Sequence, residues 1–308
     1  MIICCGEALI DMLPRRSTLD EPAFAPYSGG AVFNSAIALG RLGVPVEFFS
    51  GLSSDLFGEQ LRETLKASRV GSRYAHVSDR PTTLAFVKLV DGHASYMFYD
   101  EGTAGRMLSE ADLPVLDGNV DALLFGGISL ISEPCGSAYE EFMRRESATR
   151  VTMLDPNIRP AFIADRGKHE ARVERMIATA DILKLSDEDL AWFGRAGAAE
   201  EVVANWLAVG PKLIVVTRGG KEIVAYTKNH RVVLTPQSVT VVDTVGAGDT
   251  FNAGLLASLF EGRTLTKTGI AKLSESAIHA ALSLGAAAAA ITVSRAGANP
   301  PWRRELTT

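Results

Sequence analysis

The chain has 308 residues, 47% of them hydrophobic and 22% charged, a make-up that excludes a disordered or fibrous protein. Its formal net charge of −5 argues against a nucleic-acid binder, which would carry a basic surplus. Three cysteines, Cys4, Cys5 and Cys135, cannot form a disulfide framework and fit a reducing compartment, so a cytoplasmic location is expected.

The first segment, Ile2–Ile10, has no basic leader and reads as a buried strand, not a signal peptide. It runs into Asp11, a strand-terminal carboxylate that either accepts hydroxyl groups of a ligand or simply opens a turn. Residues 12–30 are Pro-rich and polar, without helical periodicity. Ser28-Gly29-Gly30 then opens a helix over Ala31–Leu42, with Asn34 one turn in. A buried Asn needs partners; a polyhydroxylated ligand would supply them, and so would an ordinary core contact. Val46–Ser50 reads as a strand and Gly58–Ser68 as a helix. Thr82–Val90 and Ala94–Tyr99 are β-rich runs around Asp91-Gly92, a hairpin turn. Segments 12–30 and 82–100 therefore predict a small β appendage on an α/β core made of 1–11, 31–81 and 101–308.

Beyond residue 120, strands are expected at Ala122–Phe125, Val151–Asp155, Ile182–Leu185, Leu213–Thr217 and Ile223–Tyr226. They alternate with helical patterns at Gly136–Glu146, Glu170–Ala180, Glu200–Val209 and Thr250–Phe260. Such alternation predicts a parallel sheet covered by helices on both faces, with ligands beyond the carboxyl ends of its strands. Arg159, in Asp155-Pro-Asn-Ile-Arg159, is either a surface-loop residue or a cation that neutralises phosphate in that cleft. The alanine run Ala286–Ala290 reads as a close-packed helix, and Leu282–Val293 is too short an apolar stretch to span a bilayer.

The strongest local signal is Asp243-Thr-Val-Gly-Ala-Gly-Asp-Thr-Phe251, just ahead of an apolar helix. Gly246 and Gly248 let backbone N–H groups converge and the helix adds its positive end, which makes an anion cradle. A carboxylate there would repel an anion if it were only structural. Asp249 makes sense when it points past the anion and accepts the proton of a hydroxyl, although Asp is also a common helix cap. Other signatures fail. Gly-x-Gly-x-x-Gly would need glycine at Phe251, and the pairs Gly167-Lys168 and Gly220-Lys221 are followed by His169 and Glu222 instead of Ser or Thr. The five histidines are scattered, which argues against a zinc site.

Two motifs, Gly29-Gly30-x-x-x-Asn34 through Gly43 and Asp243-Thr-x-Gly-Ala-Gly-Asp249, resemble the hallmarks of the ribokinase-like (PfkB) carbohydrate kinases, in the same order. Within that family, Gly6-Glu-Ala-Leu-Ile-Asp11, Tyr99-Asp-Glu-Gly-Thr-Ala104 and Asp155-Pro-Asn-x-Arg159 look like fructokinases. The resemblance implies a three-layer α/β/α core with a mainly parallel sheet and a small β-sheet lid. It implies an ATP-dependent kinase that transfers the γ-phosphoryl group to a sugar hydroxyl. D-fructose is the expected acceptor, with 2-keto-3-deoxygluconate, ribose or a nucleoside as alternatives. Asp249 would be the base and Gly246, Ala247 and Gly248 the anion hole. Sugar contacts would come from Asp11, Gly29, Gly30 and Asn34, with Arg159 near the transferring phosphate. Nucleotide contacts would come from Lys184, Ser186, Thr217 and Gly219, together with Gly246 and Gly248.

The same resemblance implies Mg²⁺ with ATP, supported indirectly by Asp189, and a monovalent cation such as K⁺ near Asp243 and the 292–297 loop. It also implies a homodimer, with no nucleic-acid or membrane partner. Two positions depart from the family pattern. Glu222 stands where the nucleotide loop usually ends in glycine, and Ser186-Asp-Glu-Asp189 replaces Asn-x-x-Glu, with Lys184 matching a Lys-x-Ser variant. A sugar or nucleotide sensor without turnover is the reading from a different class; an intact Asp249 beside the cradle favours the enzyme.

Overall fold

Runs such as Ile-Ile-Cys-Cys at the N-terminus are apolar at every position, so a strand made of them must be buried on both faces. The computed structural model, which describes residues 1–90, 93–194 and 199–306, places these runs among the interior strands of an eight-stranded sheet. Its strands are β1 (Ile2–Cys5), β4 (Val46–Phe49), β9 (Ala122–Gly126), β10 (Val151–Asp155), β11 (Ile182–Ser186), β12 (Leu213–Arg218), β13 (Glu222–Tyr226) and β14 (Arg231–Leu234). Their order is β14-β13-β12-β11-β10-β9-β1-β4. All neighbours are parallel up to β12, and β13 and β14 add on antiparallel.

Strand alternation splits the interior into two cores. Ile2 and Cys4 face the first, against α1 (Ala31–Arg41), α2 (Leu56–Ala67), α7 (Ala247–Glu261), α8 (Lys267–Ala271) and α9 (Glu275–Val293). Ile3 and Cys5 face the second, under α3 (Cys135–Glu146), α4 (Arg166–Thr179) and α6 (Ala199–Val209), with α5 (Asp187–Trp192) beside β11. The adjacent cysteines thus point to opposite faces as buried packing residues. α9 is apolar over a length that could cross a bilayer, but its stripe Ile278, Ala281, Leu282, Gly285 and Ala288 is buried and it packs on α7 as a core helix.

A separate four-stranded sheet has the order β3-β2-β7-β8, from β2 (Leu9–Arg16), β3 (Pro22–Gly29), β7 (Leu84–Val90) and β8 (His93–Tyr99). β5 (Gly51–Ser53) pairs with β6 (His76–Ser78) in a two-stranded ribbon. Register puts Asp11, Tyr27, Ala85 and Phe98 on one face of the four-stranded sheet and Met12, Phe86 and Met97 on the other.

Two expectations need correction. Ile2–Ile10 is not one strand: the chain breaks at Gly6–Ala8, and Leu9 starts the smaller sheet. Asp11 is therefore the third residue of β2, not the end of a core strand. The Pro-rich stretch that showed no helical period is a β-hairpin, whose prolines sit in β2 and β3. The expected turn at Asp91-Gly92 lies outside the described residues.

Candidate active site

Helix termini dictate where this protein can hold an anion. α2, α4, α5, α8 and α9 are capped by the side chains of Asp55, Asp165, Ser186, Thr266 and Ser274, which take up their first amides. α1, α3 and α7 instead open on Gly30, Pro134 and Gly246, without a side-chain cap. Both glycines hold positive φ, +114° and +78°, which other residues adopt only under strain. The N-termini of α1 and α7 border one cleft of about 340 Å³, at the carboxyl ends of β1, β10 and β11 and beneath the Asp11–Phe98 face of the small sheet, with Glu7 Oε1 already accepting from the first amide of α1.

Asp249, in the first turn of α7, is buried at the floor of this cleft. Its Oδ2 accepts a 2.9 Å hydrogen bond from Asn34 Nδ2, and Ser35 Oγ donates to its carbonyl at 3.1 Å. The partner a buried Asn34 demanded is thus the candidate base itself. Burial lifts the Asp249 pKa to about 7; Asn34 pulls it down, Asp155 pushes it up and Lys184 opposes that push. Ala247 N–H donates to the Thr244 carbonyl at 3.3 Å, whereas the amides of Gly246, Gly248 and Asp249 find no protein acceptor among the described residues. Of the expected anion hole, Gly246 and Gly248 thus keep their amides without an acceptor among the described residues, while the Ala247 amide has a backbone partner.

A cation lies directly behind the cradle. A methyl group at Gly248 would sit 3.2 Å from Lys184 Nζ. Lys184 is buried and pairs with Asp155 Oδ2 at 3.1 Å, an oxygen that also accepts from Asn252 Nδ2 at 2.6 Å. Burial alone would lower the lysine pKa, but the charges of Asp155, Asp189 and Asp249 outweigh it and hold the ammonium protonated.

On the opposite wall, the Asp11 carboxylate has no hydrogen-bond partner among the described residues, and burial raises its pKa to about 6. Gly29 lies behind it, where any Cβ would strike Asp11 Oδ2. Gly30 and Arg159 line the cleft, and Arg159 Nη1 donates to the Ile158 carbonyl at 3.0 Å.

The remaining candidates lie further along the sheet edge, outside the lining of this cleft. Ser186 caps α5, and Asp189 closes the capping box while its Oδ1 accepts from Ile158 N at 2.7 Å. Thr217 and Gly219 belong to the β12–β13 hairpin, where Arg218 and Glu222 form an ion pair across the turn. Glu222 thus braces a loop that glycine would leave loose. Asp243 ties two loops together, accepting from Val245 N at 3.0 Å and from Gly297 N at 2.9 Å.

Sequence reasoning passed over Glu7, Phe98, Ile128 and Phe162, all in the cleft wall. Glu7 is the most informative. It is a buried carboxylate that accepts from Ala31 N at 2.9 Å and Ser129 N at 3.3 Å, locking the start of α1 to the turn after β9. The one available signal was an acid in an otherwise apolar opening segment.

A family model described as pfkB family carbohydrate kinase matches residues 1–304. A fructokinase from Rhizobium leguminosarum bv. trifolii is 58% identical over 279 residues, covering 91% of this chain and 86% of the relative. The crystal structure of a fructokinase with bound ATP from Xylella fastidiosa superposes with a TM-score of 0.88 at 28% identity, covering 99% of this chain and 97% of that one. A Vibrio cholerae O395 fructokinase in its fructose-, ADP- and calcium-bound form gives 0.81 at 25% identity, covering 96% and 94%.

Proposed function

The chain belongs to the pfkB family of carbohydrate kinases and is a sugar kinase, and from that premise we propose that it phosphorylates D-fructose with ATP. The observation that carries the reading is Asp249, a carboxyl with pKa about 7 beside three amides without protein acceptors, with the Lys184 ammonium behind them. A base that titrates near neutrality can take a hydroxyl proton, and preorganised donors stabilise charge on a transferring phosphoryl group.

The residues fit a nucleotide's terminal phosphate. A Cβ at Gly246 would lie 2.7 Å from Ala298 Cβ, and one at Gly248 would press on Lys184, so only glycine leaves the cradle open. Bound there, ATP supplies the electrophilic phosphorus, and a divalent ion such as Mg²⁺ screens its charge. No cluster of three or more His, Cys, Asp or Glu stands ready for a metal among the described residues, and both Asp189 oxygens are occupied. Mg²⁺ is therefore assigned chiefly to phosphate oxygens and water. The Asp243-braced turn, with its backbone oxygens, is assigned the monovalent cation.

Charge selects the acceptor. Asp11, Asp249 and Glu7 line the cleft, Lys184 is already paired, and Arg159 is assigned to the transferring phosphate in this reading. A sugar acid would meet carboxylates without a cation of its own, whereas neutral fructose needs only acceptors and donors. Assaying D-fructose, 2-keto-3-deoxygluconate, ribose and a nucleoside with MgATP tests this. Fructose should have the highest kcat/KM, and a tenfold or greater advantage for ketodeoxygluconate, about 1.4 kcal/mol, overturns the assignment.

The small sheet serves as a lid over the acceptor in this reading. Its outer face exposes Phe24, Met97 and Tyr99, which supports a homodimer of lids that sedimentation would reveal. Free, buried Cys4, Cys5 and Cys135 support a reducing, cytoplasmic setting.

A further inference from the structure

A second cavity of about 420 Å³ adjoins the acceptor cleft, and Phe98, Ile128 and Phe162 line both. The rings of Phe98 and Phe162 meet edge to face with centroids 4.6 Å apart. The cavity is large enough for a hexose, and nothing in the transfer chemistry uses it.

Its charges cancel pairwise. Arg106 Nη1 lies 3.0 Å from Asp100, Lys168 Nζ lies 3.6 Å from Asp165, and Arg172 is bonded to Glu133. An ionic ligand would have to compete for one of these already paired charges. A hydroxyl both donates and accepts, so it can join a carboxylate and a guanidinium without parting them.

His169, on α4, is 4% exposed and lines the cavity; neither ring nitrogen has a hydrogen-bond partner among the described residues and both are shielded from water, so a hydroxyl reaches them only once the ring turns. The nearby Leu130 carbonyl is taken by Arg172 Nη1 at 2.9 Å. Burial and the Arg172 charge hold the His169 pKa down to about 4, against a small opposing pull from that carbonyl. The imidazole is therefore neutral, with one donor and one acceptor to offer. Buried polar groups without partners mark places where a water or a ligand hydroxyl belongs.

We propose that this cavity is a second carbohydrate subsite that takes a neutral, hexose-sized polyol, with hydroxyls on His169 and the ion pairs and its C–H face on Phe98 and Phe162. The occupant is either a second monosaccharide or the far ring of a disaccharide. The function proposed above enters only in the choice of sugars for the test. Equilibrium dialysis of the full chain, without ATP, would count bound D-fructose and bound sucrose. Ala164→Phe fills the cavity from its exposed rim, and His169→Leu removes the polar anchor.

Two equivalents of fructose in the wild type and one in both variants, with kcat/KM at limiting fructose unchanged, establish a second monosaccharide. One equivalent of sucrose, lost in both variants while fructose stays at one, establishes a disaccharide's far ring. One equivalent of fructose with no sucrose, or a second equivalent that survives both variants, overturns the subsite. Failure of the wild type to phosphorylate fructose counts against the proposed function and leaves the dialysis result standing.

Discussion

Replacing Asp249 by Asn keeps the shape of the side chain and removes its basicity. The Asn carbonyl can still accept from Asn34, so the 2.9 Å contact survives. Loss of a general base costs about 10²–10⁴-fold in kcat, with little change in substrate binding. The wild-type profile should show an acid limb. With a pKa of about 7, kcat/KM falls roughly tenfold for each pH unit well below neutrality and levels off above pH 8. The variant should lack that limb.

Stability should move the other way. The folded carboxyl titrates at about 7 and the unfolded one near its ordinary 3.8, so folding favours the protonated form. No cost arises below pH 3.8. Between 3.8 and 7 the unfolded chain loses its proton first, and stability declines as pH rises. Above 7 the full cost applies, on the order of 4 kcal/mol at 1.36 kcal/mol per pH unit. Asp249→Asn should therefore denature at higher urea concentration than wild type at pH 8, with the gain vanishing toward pH 4. Near-normal turnover, or equal stability at pH 8, would refute the argument.

Asn34→Ala removes the one hydrogen bond that lowers the Asp249 pKa, so the acid limb of kcat/KM should move to higher pH while sugar KM rises. Asp11→Ala should raise sugar KM by about 5–150-fold, the equivalent of 1–3 kcal/mol, and leave ATP affinity intact; loss of ATP binding would reverse the assigned ligand positions. Gly248→Ala places a methyl 3.2 Å from Lys184 Nζ, so kcat should fall with the thermal midpoint nearly unchanged. Lys184→Met strands the buried Asp155 charge and should cost about 3–5 kcal/mol in urea denaturation, most of it recovered by adding Asp155→Asn. Amide exchange in β7 and β8 should slow on adding fructose, and an unchanged pattern would count against a closing lid.

The sheet was legible because its strands are continuous apolar runs and its helices carry the 3.6 period. The cradle at 246–249 was legible because glycines before a helix, followed by an acid, report local backbone geometry that needs no distant partner. Position Asp11 was recognised but its setting was misread, because Ile2–Ile10 is apolar on both sides of Gly6 and hydropathy does not register a turn that sends the chain into another sheet. The ion pair of Lys184 with Asp155, and the bond from Asn34 to Asp249, join residues 29 and 215 positions apart, and local pattern carries no trace of them. The role of Glu7 was hidden for the same reason, since its partners, Ala31 and Ser129, belong to other elements. What the sequence determined by itself was local: glycines ahead of a helix, an acid that follows them as the candidate base, and an α/β scaffold, each specified within a few consecutive residues. Only the tertiary structure decided the pKa of that base, the cation behind the cradle and the neutrality of the adjoining cavity, because burial and charge pairing depend on which distant segments the fold brings together.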